Sequence, residues 1–392
     1  MAAQPELTIG FGVAGNSLPH LGGGWARAEP DFTWATGPES HLVLPRVQDS
    51  GALILTLDLI PFVHAPEIPD QRLIVSANGG VVGSVALSRP SLLGFRIPAE
   101  LAERADRLLI TLQHPDAARP ADFLRGQDTR SLAFSLRELK VYRDPEDGPT
   151  TRRLPSGLML RGGRPTNDPA QWVKSRTGLD LAGLAMQFES LGENCEFGLM
   201  QRRCDAEPLG LLRFSSTFLR NLIRGLDAGF EGLGATEDIE PRLEGDGRKE
   251  FMVHEKCYGL VYHTFVYEGE RSAWLMREQE AARLKFLRRK FMEELAVSDK
   301  IFVYKCNMPV SEAEILALHM ALNAHGNNTL LWVAPAEKDR PAGTVEVARR
   351  GLLKGYIDRF APDNNAHDFS FEGWLRVCAN AYLLSRLRST DP

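Results

Sequence analysis

Residues 188–214 read FESLGENCEFGLMQRRCDAEPLGLLRF, and this stretch decides the class of the C-terminal half. An apolar run over 184–191 predicts a strand. Ser190-Leu191-Gly192 predicts a turn, and Asn194-Cys195 sits just ahead of a predicted helix over 196–203. A strand that ends in a glycine turn and feeds a helix is where α/β enzymes commonly hold a nucleophile. The helix N-terminus favours an anion there, so Cys195 is expected to have a lowered pKa and to act as the nucleophile.

Outward from this stretch, strand and helix signals alternate. Helices are predicted over 216–226, capped by Ser215 or Ser216, and over 272–295, 311–324 and 371–385. Ser311 with Glu314 three residues on forms a capping box. Strands are predicted over 251–254, 258–267, 300–305, 329–334 and 352–360. The alternation predicts an α/β domain over 179–392 with a partly parallel sheet. Residues 146–178, rich in Pro, Gly, Arg and Asp and without sustained period, read as a linker.

Residues 1–145 have a different texture. Short apolar or alternating runs at 42–44, 52–60, 72–77, 81–87, 108–112 and 132–141 are separated by turn residues. Such spacing predicts an all-β sandwich or jelly roll. Asn78-Gly79-Gly80 between two such runs is the clearest hairpin signal. Trp25 and Trp34 offer aromatic platforms for a carbohydrate, or serve as packing.

The totals bound the function. The chain has 392 residues, 43% hydrophobic and 25% charged, and a net charge of -5. The pI near 6.0 argues against a dedicated nucleic-acid binder. No apolar run approaches a membrane span, and the N-terminal MAAQPELTIGFGVAGNS lacks the order of a secretory signal, so a cytoplasmic location is expected. Five cysteines (Cys195, Cys204, Cys257, Cys306, Cys378) form no CxxC pair. No Walker or Rossmann motif is present, and His319 with His325 lacks a third ligand nearby; no cofactor or metal is expected.

ESLGENC (189–195), CYGLVYHTF (257–265), RLKFLRRKFMEEL (283–295) and KIFVYK (300–305) together resemble a bacterial family described as papain-like cysteine peptidases, a domain of unknown function. The similarity covers about residues 186–305. It implies a Cys-His pair, here Cys195 and His263. The family often has Asp after that histidine, where this chain has Thr264. The segments 22–44 and 120–142 resemble β-sandwich modules found beside glycosyltransferase-like regions of bacterial proteins.

The residues support the same pair separately. A thiol nucleophile needs a base within reach, and the base needs a third group to fix its tautomer. His263 lies on a predicted strand, His254 competes for the base role, and Asp358, Asp363 and Asp368 are candidate orienting groups. Asp363 and His367 together also resemble the acid-base block of SGNH-type hydrolases, with His367 as base. Arg283, Lys285 and Arg288-Arg289-Lys290 form a basic stretch that reads as a solvated helix face or a phosphate site. The expected function is a cysteine-dependent hydrolase or acyl transferase of bacterial polysaccharide or cell-surface metabolism. The alternatives are an SGNH-like esterase and a non-enzymatic module that binds a glycan or a polysaccharide-biosynthesis protein.

Overall fold

The computed structural model describes residues 4–47, 51–124, 126–147, 155–162 and 168–389. The chain forms two compact units: one is Ala3–Pro149 with Val310–Met320, the other mainly Thr150–Pro309 with Ala321–Pro392.

The first unit is a β-sandwich. Its strands are β1 (Leu7–Gly10), β2 (Thr33–Thr36), β3 (Glu39–Pro45), β4 (Leu53–Pro61), β5 (Gln71–Ala77), β6 (Gly80–Leu87), β7 (Ser91–Ile97), β8 (Arg107–Gln113) and β9 (Leu132–Arg143), with a one-turn helix α1 (Ala99–Ala102). One sheet has the order β1-β9-β4-β7, with β2 also on β9; the other runs β3-β8-β5-β6. All pairs are antiparallel. Alternating inward residues, such as Leu42 and Leu44 facing Leu55 and Leu57, fill the core. The predicted hairpin forms. Ala77 pairs with Gly80, and Asn78 and Gly79 have φ of 46° and 82°, as a two-residue primed turn requires.

β4 is apolar along nearly its whole length because both of its faces are covered. Ile54 and Tyr142 pack with Met320 and Leu316, which belong to the helix α7 (Glu312–Asn323). Gly94 of β7 makes that approach possible, since a Cβ there would lie 3.0 Å from the Ala317 nitrogen. Glu314 of α7 accepts from Ser91 Oγ at 3.2 Å and from Arg89 at 3.1 Å. The expected capping box forms: the Glu314 N–H donates to Ser311 Oγ, and the Ser311 N–H donates to the Glu314 carboxylate.

The second unit holds a six-stranded mixed sheet and a separate four-stranded antiparallel sheet. Its strands are β10 (Met159–Leu160), β11 (Phe188–Ser190), β12 (Ser215–Ser216), β13 (Ile239–Glu244), β14 (Glu250–Glu255), β15 (Leu260–Tyr267), β16 (Ile301–Lys305), β17 (Thr329–Pro335), β18 (Val345–Arg349) and β19 (Leu352–Ile357). The helices are α2 (Pro169–Thr177), α3 (Leu181–Ala185), α4 (Glu196–Arg203), α5 (Leu219–Asp227), α6 (Ala273–Val297) and α8 (Phe371–Ser389). The large sheet runs β10-β18-β19-β17-β16-β11, with β11, β16, β17 and β19 parallel. Trp172, Phe197, Trp374 and Val377 cover one face, while Phe291 of α6 meets Phe302 of β16. The small sheet runs β12-β15-β14-β13.

Several sequence expectations are corrected. The segment 146–178, expected to be a linker, contains β10 and α2. Asp168 caps α2 through the Ala170 and Gln171 amides, and Gly178 ends it at φ 76°. Residues 148–154 and 163–167 of that segment lie outside the described residues. The strand expected over 184–191 is α3 followed by the three residues of β11. Ser215 and Ser216 pair with β15 instead of capping α5, which starts at Leu219 without a side-chain cap. The strands β1, β2, β7, β13 and β18 were not expected.

Candidate functional site

The turn from β11 to α4 is shaped by two consecutive left-handed residues, Gly192 (φ 87°) and Glu193 (φ 76°). Glycine adopts this freely, whereas a glutamate there stores about 1–3 kcal/mol of strain. The Glu196 N–H donates to Asn194 Oδ1 at 3.0 Å. Cys195 begins the helix with no capping bond. Its thiol donates to the Phe214 carbonyl at 3.6 Å.

Beneath this turn lies a buried ion cluster. Lys305, at the end of β16, is 2% exposed, and its Nζ lies 3.0 Å from Glu196 Oε2 and 3.1 Å from Glu193 Oε2. The same Nζ donates to Asn307 Oδ1 at 2.9 Å. Glu196 is fully buried, and its carboxylate also accepts from the Trp374 indole at 2.8 Å and from the Ala361 N–H at 3.1 Å. Asn307 Nδ2 donates to the Ala361 carbonyl at 3.0 Å and to Asp363. Glu193, Glu196, Lys305 and Asn307 sit at, or just beyond, the carboxyl ends of the parallel strands β11 and β16, with Ala361 and Asp363 from the segment after β19 and Trp374 from α8. In open α/β sheets that edge is where ligands enter.

The thiol has the opposite character from the one expected. Burial pushes the Cys195 pKa up, and the positive charges of Lys305 and Arg202 oppose this only in part. Desolvation outweighs the short α4 helix, so the side chain is a neutral thiol at pH 7.

His263 does not join it. It lies on β15 of the four-stranded sheet, about half exposed, with Nδ1 3.1 Å from Glu250 Oε2 and its ring stacked on Phe265. Cys195 hydrogen-bonds to the Phe214 carbonyl and His263 to Glu250, and no hydrogen bond joins the two side chains. The cause is register: β15 pairs His263 with Met252 on the solvent side of the small sheet. Thr264 donates to the Phe251 carbonyl.

The competing groups are likewise engaged elsewhere. His254 pairs with Glu244 at 2.6 Å. Asp358 accepts from Ser370, and Asp368 pairs with Arg359. His367 is exposed, its N–H donating to Asn365. Of the three candidate carboxylates only Asp363 reaches the cluster, through Asn307. In the basic stretch, Arg283, Arg289 and Lys290 pair with Glu280, Glu293 and Glu294 of the same helix, and Arg288 donates to the Gly229 carbonyl. Both tryptophans are partly exposed: Trp25 packs against Phe11 and donates to the His41 carbonyl, and Trp34 sits edge-on to Phe32.

Sequence reasoning missed Glu193, Lys305 and Asn307. The available signal was a lysine closing the otherwise apolar run IFVYK, opposite a Glu-x-x-Glu at 193 and 196.

No family model matches the chain, and no curated protein matches it. Among solved structures, the CBM22-1 xylan-binding domain from Paenibacillus barcinonensis Xyn10C is similar at 15% identity and a TM-score of 0.25, over 36% of this chain and 95% of that one. The GH115 4-O-methyl-alpha-glucuronidase BtGH115A, with specificity for decorated arabinogalactans, is similar at 9% identity and a TM-score of 0.25. There the likeness spans 36% of this chain and only 18% of that one. The Agl-KA catalytic domain is similar at 15% identity and a TM-score of 0.23, over 42% of this chain and 30% of that one. No helix among the described residues is long and apolar enough to cross a membrane.

Proposed function

We propose that this is a protein with a polysaccharide-related role whose second unit binds a polar, hydroxyl-rich ligand at the carboxyl edge of its parallel strands. The observation that carries the reading is the strained Glu193, held in a left-handed conformation over the buried Lys305. Strain of this kind clusters at functional turns. Glu193, Asn307 and Asp363 supply acceptors and donors for ligand hydroxyls. In the sandwich, Trp34 is the tryptophan offered to a sugar ring, since Trp25, equally only partly buried, packs against the core and donates its indole N–H to the His41 carbonyl. The experiment is a glycan array with the full chain, followed by titration of the best binder against Glu193→Ala and Trp34→Ala. Binding lost in Glu193→Ala with the fold intact supports the assignment. Absence of any glycan binding sinks it.

Group transfer through Cys195 is a second reading, favoured by the position of the thiol at the head of α4 and by its partial exposure. Here the positive charge near the thiol is Lys305, and His263 has no part. Hydrolysis of an activated ester by the wild type that persists in Cys195→Ala would refute it.

A further inference from the structure

The outer strands of the sandwich are closed in different ways, and β6 is the exception. On β1, the Asn16 side chain accepts from the Gly10 N–H at 2.8 Å and donates to the Thr8 carbonyl at 3.1 Å. On β2, the Ala26 N–H donates to the Trp34 carbonyl at 2.9 Å and the Thr36 N–H to the Gly24 carbonyl at 2.8 Å. On β3, the Gly22 N–H donates to the His41 carbonyl and the His41 N–H to the Gly23 carbonyl, both at 2.9 Å. β7 is buried along its length apart from Arg96. β6 ends its sheet and pairs with β5 alone; among the described residues no hydrogen bond reaches its other edge.

That open edge carries none of the features that blunt one. β6 reads GVVGSVAL, without a charge or a proline. The next charged residue along the chain, Arg89, is held by Glu314 at 3.1 Å. Val81, Ser84 and Ala86 are exposed. An extended strand with unpaired N–H and C=O groups is a template for a further strand. A second copy of the same strand fits it. Identical neutral strands face each other without like-charge repulsion, and an antiparallel self-pair closes as a two-fold dimer. Val85 and Leu87 turn to the core, as does Gly83, where a Cβ would lie 2.7 Å from the Phe95 ring; Ser84 and Ala86 turn to solvent. A two-fold axis at Val85 sets Ser84 opposite Ala86 and Gly83 opposite Leu87, so like faces meet; a slip of one residue would set the core side against the solvent side. We propose that β6 pairs antiparallel with β6 of a second copy of this chain, joining two four-stranded sheets into one continuous sheet. A contact of one short strand is smaller than the roughly 800 Å² per partner of a standard interface, so the dimer forms with a Kd of about 10–100 µM.

The test is sedimentation velocity of the full chain from about 2 to about 500 µM, a range that spans this Kd. The wild type is expected to pass from monomer to dimer across it. Ser84→Lys/Ala86→Lys sets lysines opposite each other on the edge and is expected to weaken the dimer at least about tenfold. Ser84→Lys/Ala86→Glu sets opposite charges across the same positions and is expected to hold the Kd within about threefold of wild type. Both side chains are exposed, so both variants keep the fold, which an unchanged circular dichroism melt verifies. A wild type that stays monomeric up to about 500 µM overturns the proposal. A dimer that the Lys/Lys variant leaves unchanged overturns it too, and so does equal weakening in the two variants.

Discussion

Replacing Lys305 with methionine tests the ion cluster directly. Methionine preserves most of the volume and removes the charge. Glu196, fully buried, would then keep its carboxylate with only two neutral donors, Trp374 and Ala361. Glu193 would lose the ion pair that accompanies its left-handed backbone. Removing one partner of a buried pair costs about 3–5 kcal/mol, because the remaining charge is left in a water-poor site. With a urea m-value of about 3 kcal/mol per molar, the unfolding midpoint should fall by about 1–1.7 M. The assay is urea denaturation followed by circular dichroism and by tryptophan fluorescence, since Trp374 touches Glu196 itself. The double variant Lys305→Met/Glu196→Gln removes the stranded charge and should recover about 1–3 kcal/mol of the loss. If Lys305→Met costs less than about 1 kcal/mol, or the double variant is simply additive, then the pair is not dominated by desolvation and the reasoning fails.

Three other outcomes follow from the geometry. Glu189 on β11 is held up to a pKa of about 8, first by burial and then by the nearby Glu294. Its folded-state pKa lies above the unfolded value near 4.5, so the folded form binds the extra proton and stability falls as pH rises from about 4.5 to about 8. Glu189→Gln should therefore stabilise the fold progressively across that window, by a few kcal/mol at its upper end; equal effects in thermal melts at pH 5 and pH 8 would contradict this. Gly198→Ala should cost about 1–2 kcal/mol despite the better helix propensity of alanine, because overpacking outweighs it. The added Cβ would lie 2.6 Å from the Arg213 carbonyl and 2.7 Å from the Phe214 ring, and a melting temperature equal to wild type would show that this segment yields. Iodoacetamide at pH 7.5 should label the exposed Cys257 first, Cys195 more slowly and the buried Cys378 last, as read by peptide mass spectrometry. His263→Ala should leave the Cys195 rate unchanged, and a marked drop would restore the Cys-His pair.

The repeating patterns of the chain were legible where one period dominated. The sandwich strands from β3 to β6 and β8 to β9 alternate or run apolar, and Asn78-Gly79 names its own turn. The Ser311 capping box is equally local. Short or polar elements escaped notice. β12 has two residues and β13 is IEPRLE, with an internal proline and three charges, so its ladder comes from β14 and not from its own composition. α2 was hidden by the Pro and Gly content of its surroundings, although Asp168-Pro169 is a proper helix start.

The candidate site divides along the same line. The sequence by itself determined that a strand, a glycine turn and a helix place Asn194 and Cys195 at a strand end, since that follows from local periodicity and turn chemistry. Only the tertiary structure decided which charges meet there. Parallel pairing of β11 with β16, Ser190 beside Val303, carries Lys305 under the turn, and the segment after β19 brings Ala361 and Asp363 to Asn307. It also decided that His263 belongs to another sheet. Local sequence fixes each element through near-neighbour sterics and burial. Partners far apart in sequence are chosen by strand order and register, which the sum of all packing sets.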